Sequence, residues 1–335
     1  MENTQSKILV VDDEKIIVDL HKKLLERNGY RVIVAYNGLE ALRKVSAEKP
    51  DLILTDVFMP EMDGLQLCEQ LKKGEHTNLI PIIMVTAVDD FDNKIRGIET
   101  GADDYLTKPV RSRELYARVK SLLRIKTLTD NLERAETVIF SLANAIEAKD
   151  RFTKGHIERV SLLAVSLGRH IGLSREEIST LEKGGAIHDI GKIGIRDTIL
   201  NKPGKLTDEE FEEIKKHPLT GERICRPLHS LKPVLPLIRH HHERYDGSGY
   251  PSGLSGENIP LFARIMAIVD VYDALTSQRA YRDAMSHAEA MRILRKETAD
   301  RKFDPVLFEK FEEVVEMRED LRKPFGDERE AMKTA

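Results

Sequence analysis

Residues 7–14 read KILVVDDE and residues 51–56 read DLILTD. Each is a short, nearly unbroken apolar run that ends in carboxylates. Runs rich in Val, Ile and Leu suit strands buried on both faces, and such strands build parallel sheets. RVIVA (31–35), PIIMVTA (81–87) and DYLTK (104–108) repeat the pattern, with helix-like segments near 14–28, 38–48, 64–74 and 89–100 between them. Strands alternating with helices predict an α/β domain: a doubly wound, five-stranded parallel sheet.

That sheet gives its polar residues a meaning, because ligands bind beyond the carboxyl ends of the strands at the switch point. Asp12 and Asp13 follow the first strand, Asp56 ends the third, Thr86 the fourth and Lys108 the fifth. Three crowded carboxylates repel one another and call for a hard cation such as Mg²⁺. Lys108 supplies a compact positive charge for a phosphoryl group, Thr86 a hydroxyl donor, and Asp56 a nucleophile. Any one of them alone reads as a helix N-cap or a surface charge. Together, each at a strand end, they read as a site.

The segments VVDDE, LTDVFMPEMDG, VTA and DDYLTKP, in that order, resemble the receiver domain of response regulators, over residues 1–125. The resemblance implies a flavodoxin-like fold, with Asp56 phosphorylated by a cognate histidine kinase. It implies Mg²⁺ held by Asp12, Asp13, Asp56 and the backbone carbonyl of Phe58. It also implies a switch pair, Thr86 and Tyr105, with Lys108 as phosphate contact and a cis peptide before Pro109.

The chain has 335 residues, long enough for two cores. A formal net charge of -4 gives no general cationic field, no basic recognition helix stands out, and Trp is absent, so DNA binding is not expected. There is no apolar run long enough for a membrane span, and no signal pattern. Cys68 and Cys225 are in no metal-type spacing and read as small buried hydrophobes in a reducing compartment. The expected location is cytoplasmic.

From Arg111 to Lys149 neither Pro nor Gly interrupts the chain, and Leu128, Leu132, Ala135, Ile139, Leu142 and Ile146 alternate at spacings of four and three. This seam suits a coiled coil or a helix docked on its own domain. It predicts a helical linker over 126–140 and a homodimer formed through it. Residues 141–325 read as an all-α domain, with helical periodicity at 156–171, 175–189, 207–217, 232–243, 260–276 and 287–297. Ser174 with Glu177 and Thr207 with Glu210 are capping boxes. Residues 326–335 read as a flexible tail.

This half gathers histidines with carboxylates: His156, the pair His188 and Asp189, His217, the run His240, His241 and His242, and later Asp270. Imidazole with carboxylate suits Fe, Mn, Zn or Ni. A lone histidine is usually a satisfied residue, and His21, His76, His170, His229 and His287 read so. GAIHDIGKIGI (185–195) differs, since its polar pair lies inside an apolar segment and would be costly to bury without a ligand. Neighbours on a helix diverge by about 100°. His241 and His242 are therefore not expected to share one tight vertex easily. Asp189 is able to bridge two metals, and a metal pair is suited to phosphodiester hydrolysis. Lys192, one helical turn after His188, is expected on the same side.

KGHIERV, AIHDIGKIGI, ILNKPGKLTDEEF, HP, HHERYDGSGYPSGL, IPLFARI and DVYDALTSQRAYR resemble the HD-GYP domain, a branch of the HD phosphohydrolases. The resemblance implies an all-helical bundle that hydrolyses cyclic di-GMP, through pGpG, to GMP with two or three transition metals, often Fe or Mn. It places His156, His188, Asp189 and Asp270 around one metal and Asp189, His217, His241 and His242 around the other. Lys192, Arg279 and Arg282 would contact phosphate oxygens. The loop with Gly249, Tyr250 and Pro251 would shape the site and meet partners such as GGDEF-type proteins. Two departures stand out. Phe152 occupies the position where some relatives carry a third-metal Glu, so two metals are expected. Ala280 replaces a usual Pro between the two arginines.

The whole chain then predicts a phosphorylation-regulated response regulator that degrades cyclic di-GMP. The alternatives are a weakly catalytic cyclic dinucleotide sensor or docking scaffold, and a hydrolase of another cyclic dinucleotide.

Overall fold

The computed structural model describes residues 5–74, 76–86, 100–149, 155–278 and 284–317. The chain divides into two compact units, Met1–Glu133 and Arg134–Ala335.

In the first unit, β1 (Lys7–Val11), β2 (Arg31–Ala35), β3 (Leu52–Asp56), β4 (Ile82–Thr86) and β5 (Asp104–Thr107) form one sheet in the order β2-β1-β3-β4-β5. All pairings are parallel, with Leu9 opposite Ile53 and Thr55 opposite Met84. This is the flavodoxin-like order, and its switch point lies between β1 and β3. The apolar runs are continuous because both faces are covered. Leu9, Val11, Ile53, Ile82 and Met84 face one core; Ile8, Val10, Leu52, Leu54, Ile83 and Val85 face the other. Burying each such side chain contributes about 1.5–3 kcal/mol. Helices α1 (Lys15–Glu26), α2 (Gly38–Glu48) and α3 (Gly64–Lys73) complete the layers. The expected helix near 89–100 falls almost wholly outside the described residues.

Helix α4 runs unbroken from Ser112 to Lys149. Leu115, Val119 and Leu123 bury into the first unit, and Ile139, Ala143 and Ile146 bury into the second beside Ile187 and Ile190. The seam read from the sequence therefore divides by use. Ile139 and Ile146 are core residues of the second unit, whereas Leu128 and Leu132 are about half exposed.

Among its described residues the second unit has helices and loops and no strand. Its main elements are α5 (His156–His170), α6 (Arg175–Ile187), α7 (Asp197–Leu200), α8 (Asp208–Ile214), α9 (His217–Cys225), α10 (Leu235–His240), α11 (Leu261–Thr276), α12 (His287–Ala299) and α13 (Pro305–Met317). Both expected capping boxes form, at Ser174 and Thr207. The long buried helix α11, with Ile265, Ile268, Val269 and Tyr272, is the centre of the core. No helix among the described residues is long and apolar enough to cross a membrane.

Three element readings need correction. The helix expected to run through Asp189 stops at Ile187, and Ile190–Gly194 is a tight 3₁₀ segment. The helix expected to end at His217 stops at Ile214, and His217 begins a new one whose Pro218 suits the first turn. The helix expected over 232–243 ends at His240, leaving His241 and His242 beyond it.

Candidate functional site

The first unit carries one site at its switch point. Ligand oxygens of Asp12, Asp13 and Asp56 all lie within 4.8 Å of one another. Lys108 Nζ is 2.9 Å from Asp56 Oδ1 and 3.6 Å from Asp12 Oδ2. Burial raises the pKa of Asp12 and of Asp56, and the neighbouring carboxylates add to it at both. This crowding of hard oxygen donors fits a divalent cation such as Mg²⁺. The loop after Asp56 folds back so closely that a Cβ on Gly64 would lie 2.1 Å from the Asp56 carbonyl oxygen. Thr86 is buried at the end of β4. The Tyr105 hydroxyl is buried with no hydrogen-bond partner among the described residues, and burial pushes its pKa up to about 12. The Phe58 side chain is exposed, and the peptide before Pro109 is cis.

The second unit gathers its histidines around Asp189. Ligand atoms of Asp189, His217, His241 and His242 lie within 4.8 Å of one another, as do those of His156, His188 and Asp189. Asp189 belongs to both groups. Asp270 adds an oxygen 3.6 Å from His156 Nε2. His241 and His242 converge, with ring centroids 4.2 Å apart, because they lie past the helix end where the expected 100° divergence does not apply. Lys192 Nζ donates to Asp189 Oδ2 at 2.5 Å, reached through the 3₁₀ turn. His240 turns to Glu243 instead, at 3.4 Å.

The hydrogen bonds fix the ring tautomers. His188 Nδ1 donates to the Gly185 carbonyl at 2.9 Å, His217 Nδ1 to Ile214 at 2.8 Å, and His241 Nδ1 to Ile238 at 2.8 Å. A carbonyl only accepts, so Nδ1 carries the proton in each and a neutral ring presents a bare Nε2 lone pair. Burial lowers the pKa of His188, His241 and His242, keeping them neutral. His156 Nδ1 instead donates to Asp273 Oδ2 at 2.7 Å.

These lone pairs face one another. His156 and His188 approach Nε2 to Nε2 at 3.4 Å, and His217 and His241 at 3.2 Å. His217 Nε2 also faces Asp189 Oδ1 at 3.2 Å, and that buried oxygen has no hydrogen-bond partner among the described residues. Burial pushes the Asp189 pKa up, but the Lys192 ammonium beside it leads the opposing effects, and the carboxyl is held well below the usual carboxylate range. A converging set of nitrogen and oxygen acceptors with so few protons among them fits divalent transition metals.

The response regulator receiver domain model matches residues 8–120, and the HD domain model matches residues 141–307. A Xanthomonas campestris protein named "Cyclic di-GMP phosphodiesterase response regulator RpfG" is 38% identical over 89% of this chain and 85% of its own length. A Vibrio cholerae protein named "Probable cyclic di-GMP phosphodiesterase" is 35% identical over 98% of this chain and 82% of its own. The chain belongs to the response regulators that join a receiver to an HD domain. Another Vibrio cholerae protein, named "3'3'-cGAMP-specific phosphodiesterase 2", is 37% identical over 59% of this chain and 39% of its own length.

In this receiver–HD protein, sequence reasoning missed Asp273 and Arg159. Asp273 is buried, bonded to His156 and to the Arg159 Nε, and accepts from Arg159 Nη2 at 3.1 Å. The available signal was its position three residues after Asp270 on α11, hence on the same helix face. Arg279, Arg282, Ala280 and Phe152 lie outside the described residues.

Proposed function

We propose that this protein is a phosphodiesterase that hydrolyses cyclic di-GMP to pGpG, GMP or both at a binuclear metal centre, and that phosphorylation of Asp56 by a histidine kinase regulates it. The observation that carries the reading is the position of Asp189. Its carboxylate belongs to both groups of ligand atoms, as a bridge between two cations requires. His156, His188 and Asp270 would hold one cation with it, and His217, His241 and His242 the other. Fe and Mn are the metals proposed, following the HD-GYP resemblance; a mixed imidazole and carboxylate set can hold either. Bound there, the cations would supply Lewis acidity to a phosphodiester and lower the pKa of a water. Lys192, held by Asp189, places an ammonium beside the same point and would bind a phosphate oxygen. Arg279 and Arg282 would add further phosphate contacts. The imidazoles of His188, His241 and His242, whose pKa values burial lowers, stay neutral and orient the donor set.

Control would start at the acidic switch-point site, with Mg²⁺ held by Asp12, Asp13, Asp56 and the Phe58 carbonyl. Thr86, Tyr105 and Lys108 would register the phosphoryl group. Helix α4 would carry the change, and its half-exposed Leu128 and Leu132 would support a homodimer. A 3'3'-cGAMP hydrolase is the second reading, favoured by the relative of that specificity.

The deciding experiment is turnover by purified protein loaded anaerobically with Fe(II) or Mn(II), with both cyclic dinucleotides offered and metals counted. Release of pGpG or GMP from cyclic di-GMP, with about two metals per chain, is the expected result. Faster turnover of 3'3'-cGAMP supports the second reading. Tight binding with no product under either metal overturns both. In Asp189→Ala the turnover should vanish, and retained activity would refute the bridge.

A further inference from the structure

Glu243 is a buried acid that directly follows His241 and His242 and belongs to neither ligand group. Its Oε1 accepts from Ser252 N at 2.8 Å and its Oε2 from Leu254 N at 3.1 Å. It therefore ties the far side of the glycine-rich loop back to the ligand-bearing segment. Two further contacts close the loop onto the same backbone. Tyr250 N donates to the His242 carbonyl at 3.2 Å, and a Cβ on Gly249 would lie 2.3 Å from Arg244 N.

This packing sets the pose of one side chain. The Tyr250 ring lies 4.9 Å from the His242 ring, tilted by 33°. Burial, with Asp189 and Asp270, raises the pKa of its phenol. Phe211 meets Tyr250 edge-on, with centroids 6.4 Å apart. Phe211 is 43% exposed, a large apolar side chain flanked by Glu209, Glu210, Glu212 and Glu213 on α8. The Lys215 ammonium lies 4.9 Å from its ring centre. An aromatic wall, wet on one side, thus extends outward from a ligand histidine.

We propose that Phe211 and Tyr250 form the wall that receives a nucleobase of the substrate, and that Glu243 is the positioning residue that sets this wall beside the metal cluster. The inference rests on the phosphodiesterase reading for its substrate, a nucleotide diester. A base is one ribose away from its phosphate, so a phosphate at the cluster brings its base to a neighbouring wall. Stacking on aromatic side chains tolerates either purine, because every base has a π-face.

The test is calorimetric titration of the metal-loaded full chain with GMP and, separately, with ribose 5-phosphate, which lacks the base. The wild type should bind GMP more tightly. Phe211→Ala should weaken GMP about tenfold and leave ribose 5-phosphate unchanged. Glu243→Gln replaces one accepting oxygen by a donor and should reproduce that selective loss with the metal count intact, while Tyr250→Phe should keep the preference for GMP. Equal affinity for the two probes in the wild type overturns the wall. So does an unchanged Phe211→Ala, or a loss shared by both probes. If Glu243→Gln fails to fold, Phe211→Ala still decides the wall. A Glu243→Gln protein that folds, keeps its metals and binds GMP normally overturns the positioning role. A protein that prefers GMP but does not hydrolyse cyclic di-GMP sinks the enzyme reading and leaves the wall standing.

Discussion

The Nδ1 nitrogen of His156 donates to Asp273 Oδ2 across 2.7 Å, joining the first residue of α5 to the last turn of α11. Burial pushes the Asp273 carboxyl up, but His156 and Arg159 outweigh it and keep the pKa low. The buried carboxylate fixes the His156 ring so that Nε2 points at His188. Asp273→Asn removes the charge that holds this tautomer. The expected outcome is a 10–100-fold loss of affinity for the cation that His156, His188, Asp189 and Asp270 would hold. Metal counting after dialysis against a graded chelator checks it; wild-type retention refutes the role.

Gly191 tests how the two ligand groups are joined. A Cβ there would lie 1.9 Å from the His217 carbonyl oxygen and 2.6 Å from Gly221 N. The turn after Asp189 therefore packs backbone to backbone against the helix that His217 begins. Gly191→Ala should force α9 away, cost about 1–3 kcal/mol and lower the metal count with it. Gly194→Ala is the control, since its Cβ would meet only Thr220 at an ordinary 3.5 Å. Denaturant midpoints and metal counts for the pair settle the matter, and equal values would remove the argument.

The receiver was legible because its signal is redundant. Every strand but β5 is rich in Val, Ile or Leu, and the carboxylates follow β1 and end β3, so Asp12 and Asp56 are placed by topology alone. The helical unit was legible in its ligands and less so in its elements. His188, His241 and His242 sit just past helix ends, where apolar periodicity cannot tell a last α-turn from a 3₁₀ turn. The seam from Leu128 to Ile146 shows the same limit. A pattern says which face is apolar, but not that Ile139 and Ile146 bury against Ile187 and Ile190 while Leu128 does not. Asp273 was missed because a supporting carboxylate has no spacing rule of its own.

Asp56→Asn separates the two sites. The variant keeps the side-chain shape but lacks the carboxylate, 2.9 Å from Lys108 Nζ, that is proposed to take the phosphoryl group. Incubation with a small phosphodonor should leave it unlabelled, while the transition-metal count stays at the wild-type value. Labelling at another residue, or a falling metal count, contradicts this division of labour.

His21 makes the receiver sensitive to acid. It is 4% exposed on α1, and burial, with a smaller push from Lys108, lowers its pKa from 6.5 to about 4. In the folded receiver the ring stays neutral down to that value, whereas in the unfolded chain it takes up a proton near 6.5. Between these pH values the unfolded state binds the extra proton, so stability falls as pH falls through 6.5 and the loss levels off below about 4. At roughly 1.4 kcal/mol per pKa unit, the full effect is about 3 kcal/mol. Asp12 and Asp56 act in the opposite sense, because their raised pKa values make the folded state the better proton acceptor. The wild type alone therefore shows a mixed profile, and the comparison with His21→Leu isolates the imidazole. Relative to wild type, the variant should gain stability steadily from pH 7 to pH 4.5, read as the shift in urea midpoint of the receiver transition. A difference between the two proteins that does not change with pH would remove His21 from the account.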